Sequence, residues 1–538
     1  MKKEAKMSTP SQFQDAPPRG PRDHRQVVVA GHRVDLDAIE AVLCEDPALA
    51  AARIDLTGEG TEAQIVAHIV PAQARDASGA ASSLEGEHLE QWHEVFERTY
   101  RDGADAHAGD FNISGFSSSY TGAPLPAADV REWVEHTVSR ILGLGPKRLL
   151  EIGCGAGLLL SRLAPQCERY VGSDFSDEAL RFVREHLGTR PWAQWVELRQ
   201  ESADHMSISE ADRFDTVVMN SVAQYFPSAE YLEEAVATAV GALVDGGRFF
   251  IGDVRSLPLL EAFHADSVLA RVREDYSAED VGRRVRRGIA SETELVLDPG
   301  FFFTLQAAIP RITGVRIWPK RGVHVNEFSQ FRYDVVLEIG GGGDTRDVPW
   351  IDWTPEAWSP TQVATHLRDR APQTIGLAGV DTARIARAAA APAMLAACGP
   401  DDTAGTLRRQ LAEHPQAGVD PEVWWALGHA HGYRAELGWT RADATGRYDV
   451  ALLRDVDGPG PHSAPRMPEP HRRAARLVNR PLQRIWGEKC IPALRERMAS
   501  CLPPQMRPAL YVVVETMPGT GTDGGGSVAA VDSRVALA

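Results

Sequence analysis

Leu149-Leu150-Glu151-Ile152 runs directly into Gly153-Cys154-Gly155-Ala156-Gly157, an apolar stretch closed by an acid and then by three alternating glycines. Glycines at this spacing let a backbone turn tightly and come close to a ligand, because no Cβ blocks the approach or forbids positive φ. A dinucleotide fingerprint needs a further glycine at position 158, to bring a helix N-terminus against a pyrophosphate, and Leu158 stands there instead. S-adenosylmethionine has no phosphate to cradle. Glu151 suits it, since a carboxylate ahead of the loop can hold a cationic aminoacyl end but would repel a pyrophosphate. An ordinary glycine-rich strand-to-helix turn carries the same glycines and is the competing reading.

The elements that must position such a loop follow at the expected intervals. Glu168-Arg169-Tyr170-Val171-Gly172-Ser173-Asp174 reads as a second strand ending in an acid roughly 20 residues after the first, where a carboxylate meets a ribose diol. Asp174 is therefore the ribose candidate, with helix N-capping before Ser176-Asp177-Glu178 as its alternative role. Trp195 to Arg199 reads as a third strand followed by Ala203-Asp204, an acid placed to accept from an adenine amino group. Arg213 to Asn220 and Gly247 to Asp253 read as a fourth and a fifth strand. Open α/β sheets bind ligands outside the carboxyl ends of their strands.

Composition narrows the class. The 538 residues predict several domains, and 43% hydrophobic residues suffice for real cores. A net charge of −17 with no long basic stripe argues against nucleic acid. Arg283-Arg284-Val285-Arg286-Arg287 reads as one solvated helix face. The six cysteines form no CxxC pair, scattered histidines such as His429 and His431 show no metal spacing, and no apolar run reaches transmembrane length, so the expected compartment is a reducing cytoplasm. Trp350, Trp353, Trp424, Trp425, Trp439 and Trp486 read as packing anchors.

Along the chain, residues 1–26 read as a disordered tail and 27–75 as a small α/β unit, with a linker from Asp76 to Glu87. Residues 88–340 carry the glycine-loop sheet, which ends before the Gly340–Gly343 run. Residues 341–458 read as an accessory lobe. After the proline-rich Pro459 to Pro470, residues 471–538 form a last small unit with a loop-like Gly519 to Ser527. The expected fold is α/β: a mostly parallel Rossmann-like sheet with its last strand antiparallel, an additional α/β lobe and a small split α+β subdomain.

Four stretches together carry a specific resemblance: Asp110 to Gly122, Leu149 to Gly157, Asn220-Ser221-Val222-Ala223-Gln224-Tyr225-Phe226-Pro227-Ser228, and Gly252 to Leu260. They resemble the N-methyltransferase domains embedded in nonribosomal peptide synthetases, over most of His88 to Arg454. Glu294 to Pro299 and Phe331 to Val336 continue the match. The resemblance implies a class I methyltransferase whose cofactor site comprises Tyr120, Glu151, Gly153, Cys154, Gly155, Gly157, Asp174, Phe175, Ala203, Asp204, Asn220, Ser221 and Val222. The flanks Gly31 to Glu40 and Pro492 to Ala509 are similar to the two halves of the small C-terminal subdomain of adenylation domains, which implies that the methyltransferase is inserted in a split remnant. Gly524-Gly525-Gly526-Ser527 stands where that family carries its adenylate-contacting lysine, so no amino-acid activation is expected.

Methyl transfer from a sulfonium is an in-line displacement, so positioning and exclusion of water matter more than acid–base power. An α-amine titrates at about 7.7–8.0 in simple models, and a neighbouring thioester lowers this. A positioned acceptor still orients the lone pair. The candidates are Asp253, Tyr225, His264 and Glu327, with Arg255 orienting a carbonyl or pairing with Asp253, and Asn326 on the substrate side. The relatives carry a His-Asn-Glu run where this chain reads His324-Val325-Asn326-Glu327, a shift that in a strand would turn the histidine to the opposite face. The expected reaction is N-methylation of an aminoacyl or peptidyl group tethered as a thioester to a carrier protein, in trans on a partner synthetase. O-, S- or C-methylation of a small-molecule or tethered intermediate, and an inactive docking protein, are the alternatives.

Overall fold

A computed structural model describes residues 25–29, 31–57, 63–72, 80–103, 111–188, 190–209, 213–341, 345–354, 358–454, 464–469, 476–514 and 535–537. The expected tail up to residue 24, the Gly519–Ser527 loop with Gly524–Ser527, and half of the proline-rich stretch lie outside the described residues, as does Asp110. The chain divides into two units, one of 78–486 with 528–535, the other of 1–77 with 487–527 and 536–538.

The larger unit is built on a seven-stranded sheet. Its strands are β1 (Arg148–Ile152), β2 (Arg169–Asp174), β3 (Val196–Gln200), β4 (Phe214–Asn220), β5 (Leu243–Arg255), β6 (Ile312–Pro319) and β7 (Arg332–Ile339), in the spatial order β6-β7-β5-β4-β1-β2-β3. Only β7 runs antiparallel to its neighbours. The order reverses between β1 and β4, which is where an open sheet leaves a crevice for a ligand. Alternation along the strands gives each face its own packing. Leu149, Val218, Phe250 and Val336 face one apolar cluster, while Leu150, Val217, Phe249 and Val335 face the other. Both faces are buried, so these strands read as continuous apolar runs.

Two features differ from the sequence expectation. The stretch expected as a linker up to Glu87 is helical from Ala80, within α1 (Ala80–Gly103), whose ring-bearing positions Trp92, Phe96 and Tyr100 recur every four residues. The lobe after residue 341 has no separate core. Leu377 and Val450 of its four-stranded sheet (Trp350–Asp352, Thr374–Val380, Tyr448–Arg454, Tyr433–Gly438), with Trp424 of the helix Pro421–His431 and Trp439, belong to the same cluster as β4 and β5. The segment around Leu477 to Asn479 also belongs to this unit, where Asn479 Oδ1 accepts from Val296 N at 2.7 Å.

The smaller unit opens with a hairpin, Gln26–Val29 against His32–Asp35. Asp35 then caps the helix Leu36–Cys44 by accepting from Asp37 N and Ala38 N. Leu49–Thr57 pairs antiparallel with Gln64–Pro71, which pairs parallel with Leu510–Val513. Ile39, Leu43, Ile54, Ile69 and Tyr511 are buried within it.

Candidate active site at the carboxyl ends of the sheet

The glycine loop leaves β1 with positive φ at Gly153 (+72°), Gly155 (+49°) and Gly157 (+77°). A Cβ on Gly153 would lie 2.4 Å from Val222 Cγ2, and one on Gly155 would lie 2.7 Å from the Tyr100 hydroxyl, so the first two glycines are required by space as well as by φ. Gly157 serves differently from the expectation of a cofactor contact. It faces Val183 of the helix Asp177–Leu187, 3.0 Å from where its Cβ would be, and closes the packing against that helix instead. Gly153 N and Cys154 N donate to Ser173 O, which ties the loop to β2.

Asp174 clasps the loop from the end of β2: its carboxylate accepts from Gly155 N at 2.8 Å and from Ser176 N at 2.9 Å. Ser176 takes the N-cap role for the next helix. Burial pushes the Asp174 carboxyl up to about 6, and pushes that of Glu151 up to about 8 although Glu151 accepts a 2.5 Å bond from the Tyr170 hydroxyl.

Two chambers meet above the loop. The larger, of about 420 Å³, lies within the usual size range of small-molecule sites and is lined by Trp92, Phe96, Phe175, Ala203, Asp204 and Val222, with Asp174 at its floor. Asp204 accepts from the Tyr231 hydroxyl at 2.6 Å. The smaller, of about 220 Å³, is lined by Glu151, Cys154, Asn220, Gln224, Glu294, Glu327 and Arg332 among others. Phe96, Tyr100, Gly153, Ser221 and Tyr225 border both. Tyr225 packs on Trp92 and Phe96, with ring centroids 4.5 and 5.0 Å away, and burial pushes its hydroxyl up to about 12. Among the described residues, Asn112 Nδ2, Asn220 Oδ1 and Gln224 Oε1, all on the smaller chamber's residues, are buried without a hydrogen-bond partner. Asn220 Oδ1 stands 2.1 Å from where a Cβ on Gly252 would be, so glycine at 252 makes its place.

The remaining candidates are placed differently from their expected roles. Asp253 lies fully buried at φ +65° and borders neither chamber. It accepts from Arg332, from Ser221 Oγ at 2.6 Å and from Trp133 Nε1 at 3.1 Å, with Lys320 Nζ 3.5 Å away. Burial alone would raise its pKa, but Arg332 and Lys320 hold it at about 2, so it is a fixed anion rather than a proton acceptor. Neighbouring Asp334 shares Lys320 at 2.9 Å and pairs with Arg140. Arg255 does not meet Asp253; it pairs with Glu292 at 2.9 Å and Glu294 at 2.8 Å over the Phe263 ring. His264 sits behind the chambers, 3.3 Å from Glu292.

Asn326 is occupied as the cap of the short helix Glu327–Phe331 and donates to Asp129, so it does not face substrate. Glu327 does border the smaller chamber, where its carboxylate accepts from Ser119 N. His324 bonds Glu132 at 2.9 Å, in a loop rather than a strand, so the facing argument does not apply to it. Tyr120 turns from the chambers and donates to Asp266 at 2.8 Å. Sequence reasoning missed the α1 wall, whose fourfold aromatic spacing was the available signal, and missed Glu294 and Gln224 although both lie in the motif stretches.

Among the described residues, none cluster with metal-ligating geometry and no helix is long and apolar enough to cross a membrane. Residues 150–249 match a methyltransferase domain family. The chain is 35% identical over 515 residues to chondramide synthase of Chondromyces crocatus, covering 93% of this chain and 13% of that protein. It is 32% identical to the probable non-canonical nonribosomal peptide synthetase CymA of Salinispora arenicola, over 93% of this chain and 6% of that one. The chain thus spans about an eighth or less of these relatives' length. Among solved structures, the N-methyltransferase NodS of Bradyrhizobium japonicum aligns with 46% of this chain and 98% of its own, at 16% identity and a TM-score of 0.30. This chain carries a methyltransferase domain on a mostly parallel seven-stranded α/β sheet, in a sequence similar over nearly its whole length to a segment of nonribosomal peptide synthetases.

Proposed function

We propose that this chain methylates the α-amine of an aminoacyl or peptidyl group held as a thioester on a carrier protein during nonribosomal peptide assembly. The observation that carries this reading is the 35% identity to a synthetase that runs through 93% of the chain, rather than through the glycine-loop sheet alone. The two-chamber geometry supports it. The larger chamber has the size and apolar lining for an adenosine, and the smaller, polar one meets it where a transferred group would cross.

When bound, S-adenosylmethionine supplies an electrophilic methyl group on a sulfonium. The chain's own residues then have three tasks. Glu151 and the loop backbone at Gly153, Cys154 and Gly155 receive the cationic aminoacyl end, and Asp174 takes the ribose hydroxyls. Phe175, Ala203, Asp204 and Val222 hold the base, with Trp92 and Phe96 closing over it. Ser221 and Tyr225 form the passage between chambers, with Asn220 on the wall of the smaller one, and the aromatic rings exclude water. The amine is neutral near pH 7–8, so alignment is the main demand on the second chamber.

The smaller unit we assign to the split adenylation-subdomain remnant, which brackets the methyltransferase. The test is incubation of the chain with S-adenosylmethionine and separately purified carrier domains, each loaded with a different amino acid. Intact-protein mass spectrometry should show one added methyl on at least one of them. Methylation of free small molecules but of no loaded carrier would overturn the reading.

A further inference from the structure

Glu294 and Gln224 both line the smaller chamber, and each carries a side-chain oxygen with no hydrogen-bond partner among the described residues. Arg255 Nη1 holds one Glu294 oxygen, Oε2, at 2.8 Å, and the same guanidinium holds Glu292 Oε2 at 2.9 Å. The Glu294 carboxylate is thereby fixed through one oxygen, and Oε1 has no hydrogen-bond partner among the described residues. Gln224 is locked beside it. Its backbone carbonyl accepts from Leu295 N at 2.7 Å, while its Oε1, in a residue only 2% exposed, has no partner among the described residues. A buried acceptor without a donor costs roughly 1–3 kcal/mol, so a working complex gains by supplying one.

We propose that Glu294 Oε1 and Gln224 Oε1 together receive the two N–H groups of the methyl-accepting amine. Two acceptors at one wall match a primary amine, since a hydroxyl offers one donor and a carbon nucleophile none. Of the other carboxylates nearby, Glu151 accepts from the Tyr170 hydroxyl, Glu327 from Ser119 N, and Asp253 from Arg332, Ser221 and Trp133. The pair rests on the N-methylation reading and deepens it, by naming the groups that select nitrogen.

Calorimetric titration of the full chain with S-adenosylhomocysteine and with sinefungin, a cofactor analogue bearing an amine where the methylsulfonium stands, tests this directly. The wild type should bind sinefungin roughly tenfold or more tightly than S-adenosylhomocysteine, the worth of one charge-assisted hydrogen bond. Glu294→Gln and Gln224→Met should each reduce that preference to within about threefold and leave S-adenosylhomocysteine affinity unchanged. Absence of the preference in the wild type, its survival in both variants, or a parallel loss of S-adenosylhomocysteine binding would overturn the assignment. A preference that behaves as expected in a protein that methylates no loaded carrier would instead overturn the carrier reading alone.

Discussion

Cofactor binding should release a proton, and Glu151 should be its source. Burial places the Glu151 carboxyl at about 8, against an ordinary 4.5. At pH 6.5 such a group is about 97% protonated. A cationic aminoacyl end beside it favours the carboxylate, and that ligand's own α-ammonium, titrating at about 7.7–8.0, is still charged at this pH. Binding should therefore expel close to one proton. Because only the ionised fraction is competent, affinity should rise about tenfold per pH unit between pH 6 and 7.5. The same raised value means that the protein loses stability as pH climbs from 4.5 towards about 8, since the folded state binds the extra proton in that window. The assay is titration calorimetry at pH 6.5 in phosphate and in imidazole, whose ionisation heats differ. The observed enthalpy should depend on buffer with a slope near one proton, and Glu151→Gln should abolish both that slope and the pH dependence of affinity. Buffer-independent heats in the wild type, or a pH dependence that survives in the variant, would refute the reasoning.

Asp253→Asn should destabilise the protein by about 3–5 kcal/mol in denaturant unfolding, because Arg332 and Lys320 are left short of a buried counter-charge. With Asp253 held at about 2, that stabilisation is complete above pH 3.8 and fades as pH falls through about 2, so the gap between variant and wild type should narrow only in strong acid. Gly252→Ala should cost about 1–3 kcal/mol and displace Asn220, since the new methyl would lie 2.1 Å from Asn220 Oδ1; thermal unfolding and cofactor titration read the two effects. Trp92→Ala should weaken S-adenosylmethionine binding about tenfold through loss of the ring that packs on Tyr225, with little change in secondary structure by circular dichroism.

The sheet was legible in the sequence because its central strands are buried on both faces and so appear as apolar runs, and because three glycines with φ constraints punctuate the first crossover. Glu151, Asp174 and Asp204 were legible for the same reason: a residue at the end of a strand is also at the edge of the crevice. Asp253 shares that position yet is unavailable, and the cause lies far away in the chain. Arg332, Lys320 and Trp133 arrive from β7, the segment before it and the helix Ala127–Leu142, and such pairing leaves no local trace. Tyr120 was lost to Asp266 in the same way, by a partner 146 residues distant. The α1 wall was hidden for a different reason. Ala80, Ala81, Ser82, Ser83 and Gly86 look like linker composition, whereas the rings that line the chamber begin only at Trp92.

Where the methyl group lands decides between nitrogen and every other acceptor. Incubating the chain with S-adenosylmethionine labelled by carbon-13 at the methyl, together with a loaded carrier, then hydrolysing the thioester and recording a proton–carbon correlation spectrum, locates it. The account predicts a single labelled methyl bonded to the α-nitrogen of the released amino acid. A labelled methyl on oxygen, sulfur or carbon would contradict it.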